Sequence, residues 1–474
     1  MDFIDLPVDL LQIISPEHAW NYQIIPKSKK NNTVCFYAEK THISNELINE
    51  LEMVLGFRIL LEPAEKHMIE KTLGKFYRKN KYAGVSHTRL NSKDETDNFL
   101  LLLLNEAKQN GCSDIHFEVY ESGNRVRLRI DGLLVERFTI DNNDYLSLIN
   151  QIKIKSNLDI SEKRLPQDGR ISFEDNGEKI DVRVSVLPTR FGEKAVLRLL
   201  TKEPHLVHLD SLGFSKQDHI NYKNGIFKPH GIVLISGPTG SGKTTTLYAT
   251  INELNKTTRN ILTIEDPIEY TMEGVNQVQL KEDIGLTFSA ALRTFLRQDP
   301  DIIMLGEIRD QETASMAIRA SLTGHLLLST IHTNSAWGTI TRLIDMGIEP
   351  FLIASTLNLS VAQRLVRLLC PHCKIKKKLD TSDFAYTQWL EKGVLEHYLA
   401  KGCDNCFYTG YRGRKAIFEV LPVDEELAEK IKRKETDISD YTTLKGIKVL
   451  SENALELVVS GSTSLEEIYS LICA

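Results

Sequence analysis

HGIVLISGPTGSGKTTTLYATINEL, residues 230–254, decides how the rest of the chain is read. The run Ile232 to Ile235 has the length and composition of a buried strand, GPTGSGKT at 237–244 matches G-x-x-x-x-G-K-[ST], and helical text follows. In that order, Gly237, Gly240 and Gly242 turn backbone N–H groups onto phosphate oxygens, and the next helix brings its positive end to them. Lys243 reaches the terminal phosphates, and the Thr244 hydroxyl is suited to a magnesium ion. The predicted phosphate site is therefore Gly237, Pro238, Thr239, Gly240, Ser241, Gly242, Lys243, Thr244 and Thr245. A chance match in a chain of this length arises about once in 50. The competing reading, a Gly-rich turn with a surface lysine, does not account for the strand before it and the helix after it.

Three more apolar runs end in a side chain with chemistry to offer. ILTIEDPIEY (261–270) puts Glu265 and Asp266 after a strand, DPDIIMLGEIRD (299–310) does the same for Glu307, and GHLLLSTIHTNSA (324–336) for His332. Strand and helix alternate from about Gly231, which predicts a parallel sheet with its ligand site at the carboxyl ends of the strands. All three runs then converge on the phosphate loop. Two carboxylates there suffice for hydrolysis, one to help hold magnesium and one to orient and polarise water. A lone histidine at a strand end is as often a hydrogen-bonded core residue as a functional one.

Composition narrows the class. With 474 residues the chain has room for about three domains. Its 42% hydrophobic and 26% charged residues disfavour disorder and a pure coiled coil. Fifty-eight Lys and Arg against 64 Asp and Glu leave a net charge of -6, which disfavours a general nucleic-acid binder. FLLLLL at 99–104 is far short of the roughly 20 residues a spanning helix needs. The first ten residues, MDFIDLPVDL, carry acids where a secretory signal carries Lys or Arg, so a cytoplasmic chain is expected.

Upstream of the phosphate loop, SDIHFEVYE, NRVRLRIDG, GRISFE, KIDVRVSVLP and KAVLRLL alternate with period two, predicting a mostly antiparallel sheet. Arg125, Arg127 and Arg129 read as a solvated strand face. Asp114, His116 and Glu118 share one face of a strand, as a metal site, a polar surface or an interface. Four of the seven cysteines form two C-x-x-C pairs, Cys370 with Cys373 and Cys403 with Cys406. In a reducing compartment that pattern predicts a closed tetrahedral zinc site. The expected division is an N-terminal module at 1–84, a linker at 85–98, the sheet domain at 99–201, the P-loop domain at 202–365, a tetracysteine subdomain at 366–412 and a helical region at 413–474.

At these motifs the sequence resembles the secretion-type hexameric ATPases, the motors of type II secretion and type IV pilus assembly. GPTGSGKTTTLY is similar to the family's Walker A, TIEDPIEY to its aspartate box, LRQDPDIIMLGEIRD to its Walker B, and GHLLLSTIHTNSA to its histidine box. The resemblance implies an α/β RecA-like P-loop core preceded by a PAS-like antiparallel sheet, with ATP, magnesium and zinc as ligands. It implies Glu265 as the base for water and Glu307 as a magnesium ligand, with Gly306 where other P-loop enzymes carry an aspartate. RLPQDGRIS and KIDVRVSVLP resemble the family segments that supply arginines to nucleotide, here Arg170 and Arg183. The implied assembly is a homo-hexamer, held peripherally at the inner membrane by adaptor and platform proteins. Retraction motors usually lack the cysteine insertion and the N-terminal module, so assembly or secretion is favoured. Residues 1–80 resemble the second half of an adaptor-docking domain, without the repeats that bind a cyclic dinucleotide in some relatives. Two other functions compete: a nucleic-acid translocase with the same core, and a nucleotide-binding scaffold without turnover.

Overall fold

The structure is a computed structural model describing residues 4, 6, 10, 13–14, 16–30, 33–76, 93–121, 123–175, 178–200, 208–378 and 396–472. Its N-terminal module builds a three-stranded sheet from β1 (Ile24–Lys30), β2 (Thr33–Glu39) and β3 (Arg58–Ala64), in that order, with β2 and β3 parallel. The helix Asn45–Leu55 enters on a Ser44 cap, whose Oγ accepts the Leu47 N–H at 3.1 Å. It buries Leu51 in the same cluster as Val34 and Phe36, and Leu47, Ile48 and Leu55 pack against that cluster.

The helix Lys93–Gln109 begins inside the stretch expected to be linker, of which residues 85–92 lie outside the described residues. The cause is the six-residue apolar run. Wound as a helix, it buries Phe99, Leu100, Leu103 and Leu104 and leaves Leu102 exposed. Those four residues, with Tyr145, Leu148, Ile149 and Ile152 of the helix Asn142–Lys155, form the core on one face of a six-stranded sheet. Its strands are β4 (Asp114–Tyr120), β5 (Gly123–Ile130), β6 (Leu133–Ile140), β7 (Gln167–Asp175), β8 (Glu178–Thr189) and β9 (Gly192–Leu200), in the order β6-β5-β4-β9-β8-β7. Every neighbouring pair is antiparallel. The other face is charged. Glu118 takes Arg127 at 2.6 Å, Arg125 at 3.0 Å and Lys194 at 3.3 Å, and Asp114 takes Arg198 at 2.9 Å and Arg129 at 3.4 Å. The acids of the D-x-H-x-E face are thus buried and committed to cations, which disfavours the metal reading for these residues.

The third sheet contains β10 (Gly231–Ser236), β11 (Ile261–Glu265), β12 (Asn276–Gln279), β13 (Ile302–Leu305), β14 (Leu326–Ile331) and β15 (Leu357–Leu369), all parallel. A two-stranded ribbon follows, β16 (Ile375–Lys378) with β17 (Glu396–Leu399), and then β18 (Tyr411–Pro422) returns antiparallel to β15. The sheet order is β12-β11-β13-β14-β10-β15-β18.

This differs from the sequence division at both of its last boundaries. β15 runs past residue 365, because the strand stays paired with β18 while Arg364 and Arg367, half-buried on opposite faces, find Asn334 and Glu467 as partners. The segment after 412, read as helical, first completes that strand and only then forms the helices Glu425–Lys432, Ser439–Lys445, Leu450–Val459 and Leu465–Ile472. Among the described residues, no helix is long and apolar enough to cross a membrane.

Candidate active site

The phosphate loop links the end of β10 to the helix Lys243–Leu254. Gly237 has φ 150°, and a Cβ there would lie 2.5 Å from the Gln363 carbonyl and 2.6 Å from Ser241 Oγ. Only glycine fits that close approach. Gly242, at φ 87°, is the N-cap and carries no side chain to cap the helix, so the first-turn N–H groups stay available to a ligand. Lys243 donates to the Gly237 and Pro238 carbonyls at 2.7 and 3.1 Å. Burial pushes its ammonium pKa down, opposed by the charge of Glu307.

Four adjacent strands deliver the remaining groups in one row. Ile264 pairs with Leu305, Leu305 with Ser329, and Ile235 with Thr330, so β11, β13, β14 and β10 end level with one another. Glu265, Glu307 and His332 follow directly and line a cleft of about 660 Å³ with Lys243, Thr244 and Thr245. Glu307 pairs with Arg309, and His332 Nε2 lies 3.4 Å from its other oxygen. Burial pushes the Glu307 pKa up, but Arg309 and His332 outweigh it and hold the carboxyl below its usual range. Glu265 is buried and accepts from Tyr248, Thr263 and Gln277.

The sheet domain closes one side of the cleft with Ser113, Arg198 and Leu199. Arg170 and Arg183 do not line it in this conformation. Arg183 reaches its rim, donating to the Ile268 carbonyl at 2.8 Å and standing 3.5 Å from Glu269, while Arg170 is exposed on β7. The register explains the relation. Arg170 pairs with Arg183 across β7 and β8, and Arg183 with Arg198 across β8 and β9, forming a row of three cations on one face. Like charges directly opposite one another are unfavourable without an anion between them. Asp114 and Glu269 partly supply one. The sequence reading missed Arg198 because its strand, KAVLRLL, looks like any half-buried strand. It also passed over Arg309, Arg414, Tyr248, Gln277 and Gln363, although Arg309 stands inside the quoted GEIRD.

The second site is the cysteine cluster. Cys370 Sγ lies 3.8 Å from Cys403 Sγ, and Cys406 Sγ lies 3.8 Å from both Cys373 and Cys403. All four sulfurs fall within 4.8 Å of one another. Thiolates about 2.3 Å from one tetrahedral zinc stand about 3.8 Å apart, whereas a disulfide holds its sulfurs at about 2.05 Å. The donor set and its spacing fit zinc. Backbone N–H groups of Cys403 and Gly410 donate to Cys406 Sγ at 3.2 and 3.3 Å, the kind of outer-shell support a metal thiolate receives. Phe407 and Tyr408 follow in left-handed conformation, at φ 49° and 59°, and the Phe407 ring packs under Arg137 of the sheet domain at 5.3 Å.

Known proteins are similar to this chain along most of its length. Residues 90–470 match the model of the type II/IV secretion system protein family. The type II secretion system ATPase E of Vibrio cholerae is 46% identical over 385 residues, covering 80% of this chain and 76% of that protein. The type IV pilus assembly ATPase PilB of Myxococcus xanthus is 40% identical over 494 residues, covering 98% and 87%. Among solved structures, the pilus retraction motor PilT with bound ADP superposes with a TM-score of 0.53 at 27% identity, over 78% of this chain and 96% of that one. The ATPase DotB of Legionella pneumophila gives 0.59 at 22% identity, over 79% and 95%, a likeness of fold alone. With a phosphate loop, two carboxylates and a closing sheet domain in one cleft, and with relatives of this identity along most of its length, the chain belongs to the type II/IV secretion system protein family and is an ATPase.

Proposed function

We propose that this ATPase is a homo-hexameric motor on the cytoplasmic face of the inner membrane, powering type II protein secretion or type IV pilus assembly. The observation that carries this reading is the cleft itself, shared between the P-loop sheet and a second domain that contributes Arg198. A site with walls from two domains can convert nucleotide binding into relative domain motion. Lys243 and the loop N–H groups hold the phosphates of ATP, and Glu265 orients the attacking water. Thr244 and Glu307 are the residues that would hold magnesium, whose charge offsets that developing on the phosphates. His332, 3.4 Å from Glu307, positions that carboxylate.

Arg170 and Arg183 complete the site when the ring closes, since Asp114 and Glu269 only partly balance the row they form with Arg198 and a triphosphate supplies further negative charge. Cys370, Cys373, Cys403 and Cys406 hold one structural zinc with no open position. The module before residue 84 docks an adaptor, which in turn recruits the chain to the platform at the membrane. The surplus of acidic residues argues against a nucleic-acid translocase, and intact Lys243, Glu265 and Glu307 argue against a scaffold without turnover.

The test is turnover in mixed rings. Arg170→Ala, Arg183→Ala chains and Lys243→Ala chains are combined at varied ratios, with mass measured in parallel. Recovery of ATP hydrolysis in six-membered assemblies supports arginines acting between subunits. Full turnover by the arginine double mutant alone removes both from the mechanism, and stimulation of the wild type by DNA would restore the translocase reading.

A further inference from the structure

Glu265 is 3% exposed, and its described partners are three neutral donors. A carboxylate offers about four acceptor positions, two on each oxygen. On Oε1 both are taken, by the Thr263 hydroxyl at 2.6 Å and by Gln277 Nε2 at 3.1 Å. The direction of the Gln277 amide is set from its far side, because its Oε1 accepts the Met272 N–H at 2.7 Å while Nε2 also donates to the Tyr270 carbonyl at 3.1 Å. On Oε2 one position is taken, by the Tyr248 hydroxyl. One acceptor position is left for a water, and it shares an oxygen with Tyr248.

Tyr248 stands on the helix Lys243–Leu254, whose first turn belongs to the phosphate loop. Its ring packs on Tyr270 with centroids 4.2 Å apart, and its oxygen also accepts the Glu269 N–H at 3.4 Å. Burial, followed by the charge of Glu265, pushes this hydroxyl's pKa well above the ordinary range, so it remains a donor.

We propose that Tyr248 is a positioning residue for hydrolysis, tying the Glu265 carboxylate to the phosphate-binding helix and leaving a single acceptor direction on Oε2 for the attacking water. This rests on the reading of Glu265 as the group that orients water. Removing the hydroxyl frees a second direction on the same oxygen, so the bound water is no longer held in one orientation. Phosphate binding, which uses the loop and Lys243, is untouched.

The experiment uses the full-length chain and compares Tyr248→Phe, Glu265→Gln and the double variant in steady-state ATP turnover. Tyr248→Phe keeps the ring against Tyr270. It should lower kcat about tenfold, the effect of losing one hydrogen bond to a charged group, with KM for ATP unchanged within about twofold. The double variant should be no slower than Glu265→Gln alone, because the hydroxyl acts only through that carboxylate. Thr263→Val, which frees a direction on Oε1, should lower kcat in the same way. An unchanged kcat in Tyr248→Phe, or losses that multiply in the double variant, overturns the proposal while Glu265 keeps its role. Wild-type turnover in Glu265→Gln instead overturns the reading beneath it. A Thr263→Val enzyme at full rate refutes the account of four acceptor positions.

Discussion

The phosphate cleft receives its groups from four strands whose buried backbone pairing sets their positions. The cysteine knuckle has little such support. Its ribbon strand β16 is exposed at all four residues, two left-handed non-glycine residues follow Cys406, and of its four cysteines only Cys370 and Cys406 are buried. One site takes its shape from strand pairing, whereas at the other the proposed metal would offset the entropy of ordering a short loop. β18 joins them. It starts just beyond the knuckle, and its Arg414 lines the cleft.

The comparison breaks most visibly at the metal. Structural zinc supplies about 10–16 kcal/mol of apparent binding energy in small zinc-dependent folds, so Cys403→Ser should abolish metal binding and the order of the knuckle. Hydrogen exchange should rise across 396–411 and stay low across 231–265, with ATP affinity kept within about twofold. Equal loss of protection in both regions would falsify the view that the cleft stands alone.

Lys243→Ala is the converse change and should cut turnover about 10²- to 10³-fold, the cost of losing one charge-stabilising donor. It should also weaken ATP binding, with the zinc content unaltered. Metal analysis and nucleotide titration on the same sample check both halves of the statement.

A smaller effect is expected from Gly237→Ala. The new Cβ meets the Gln363 carbonyl and Ser241 Oγ at a φ of 150°, and backbone and overpacking strain of this kind costs about 1–3 kcal/mol. Thermal unfolding should shift down and ATP should bind more weakly, by about tenfold for each 1.4 kcal/mol of strain that falls on the bound loop. Normal binding would mean that the loop relaxes more easily than its packing against β15 implies.

The smallest change addresses the join. Asp131, in the turn between β5 and β6, accepts the Gly413 N–H at 2.7 Å and faces Arg414 at 3.7 Å. Asp131→Ala should cost about 1 kcal/mol. Hydrogen exchange at 411–414 should rise while zinc stays bound, and a released metal would show that knuckle and join are one unit.

Much of the site was legible because its chemistry is written in contiguous text. The phosphate loop needs glycines at fixed spacing, each acid follows its own strand, and paired cysteines mark a metal by proximity. The fold class followed from the change of period at the start of the P-loop core. What stayed hidden depends on register between distant segments. No local pattern says that Arg198 rather than Arg170 faces the cleft, or that the strand Tyr411–Pro422 returns to β15 across a long insertion.

By itself, then, the sequence determined which groups exist for phosphate and metal, since backbone conformation and ligand spacing are local properties of the chain. Only the tertiary structure decided which arginine enters the cleft, which oxygen of Glu265 is left open, and where the two sites touch. Those depend on which strands lie side by side and at what offset, and alternation along one strand leaves that offset undetermined.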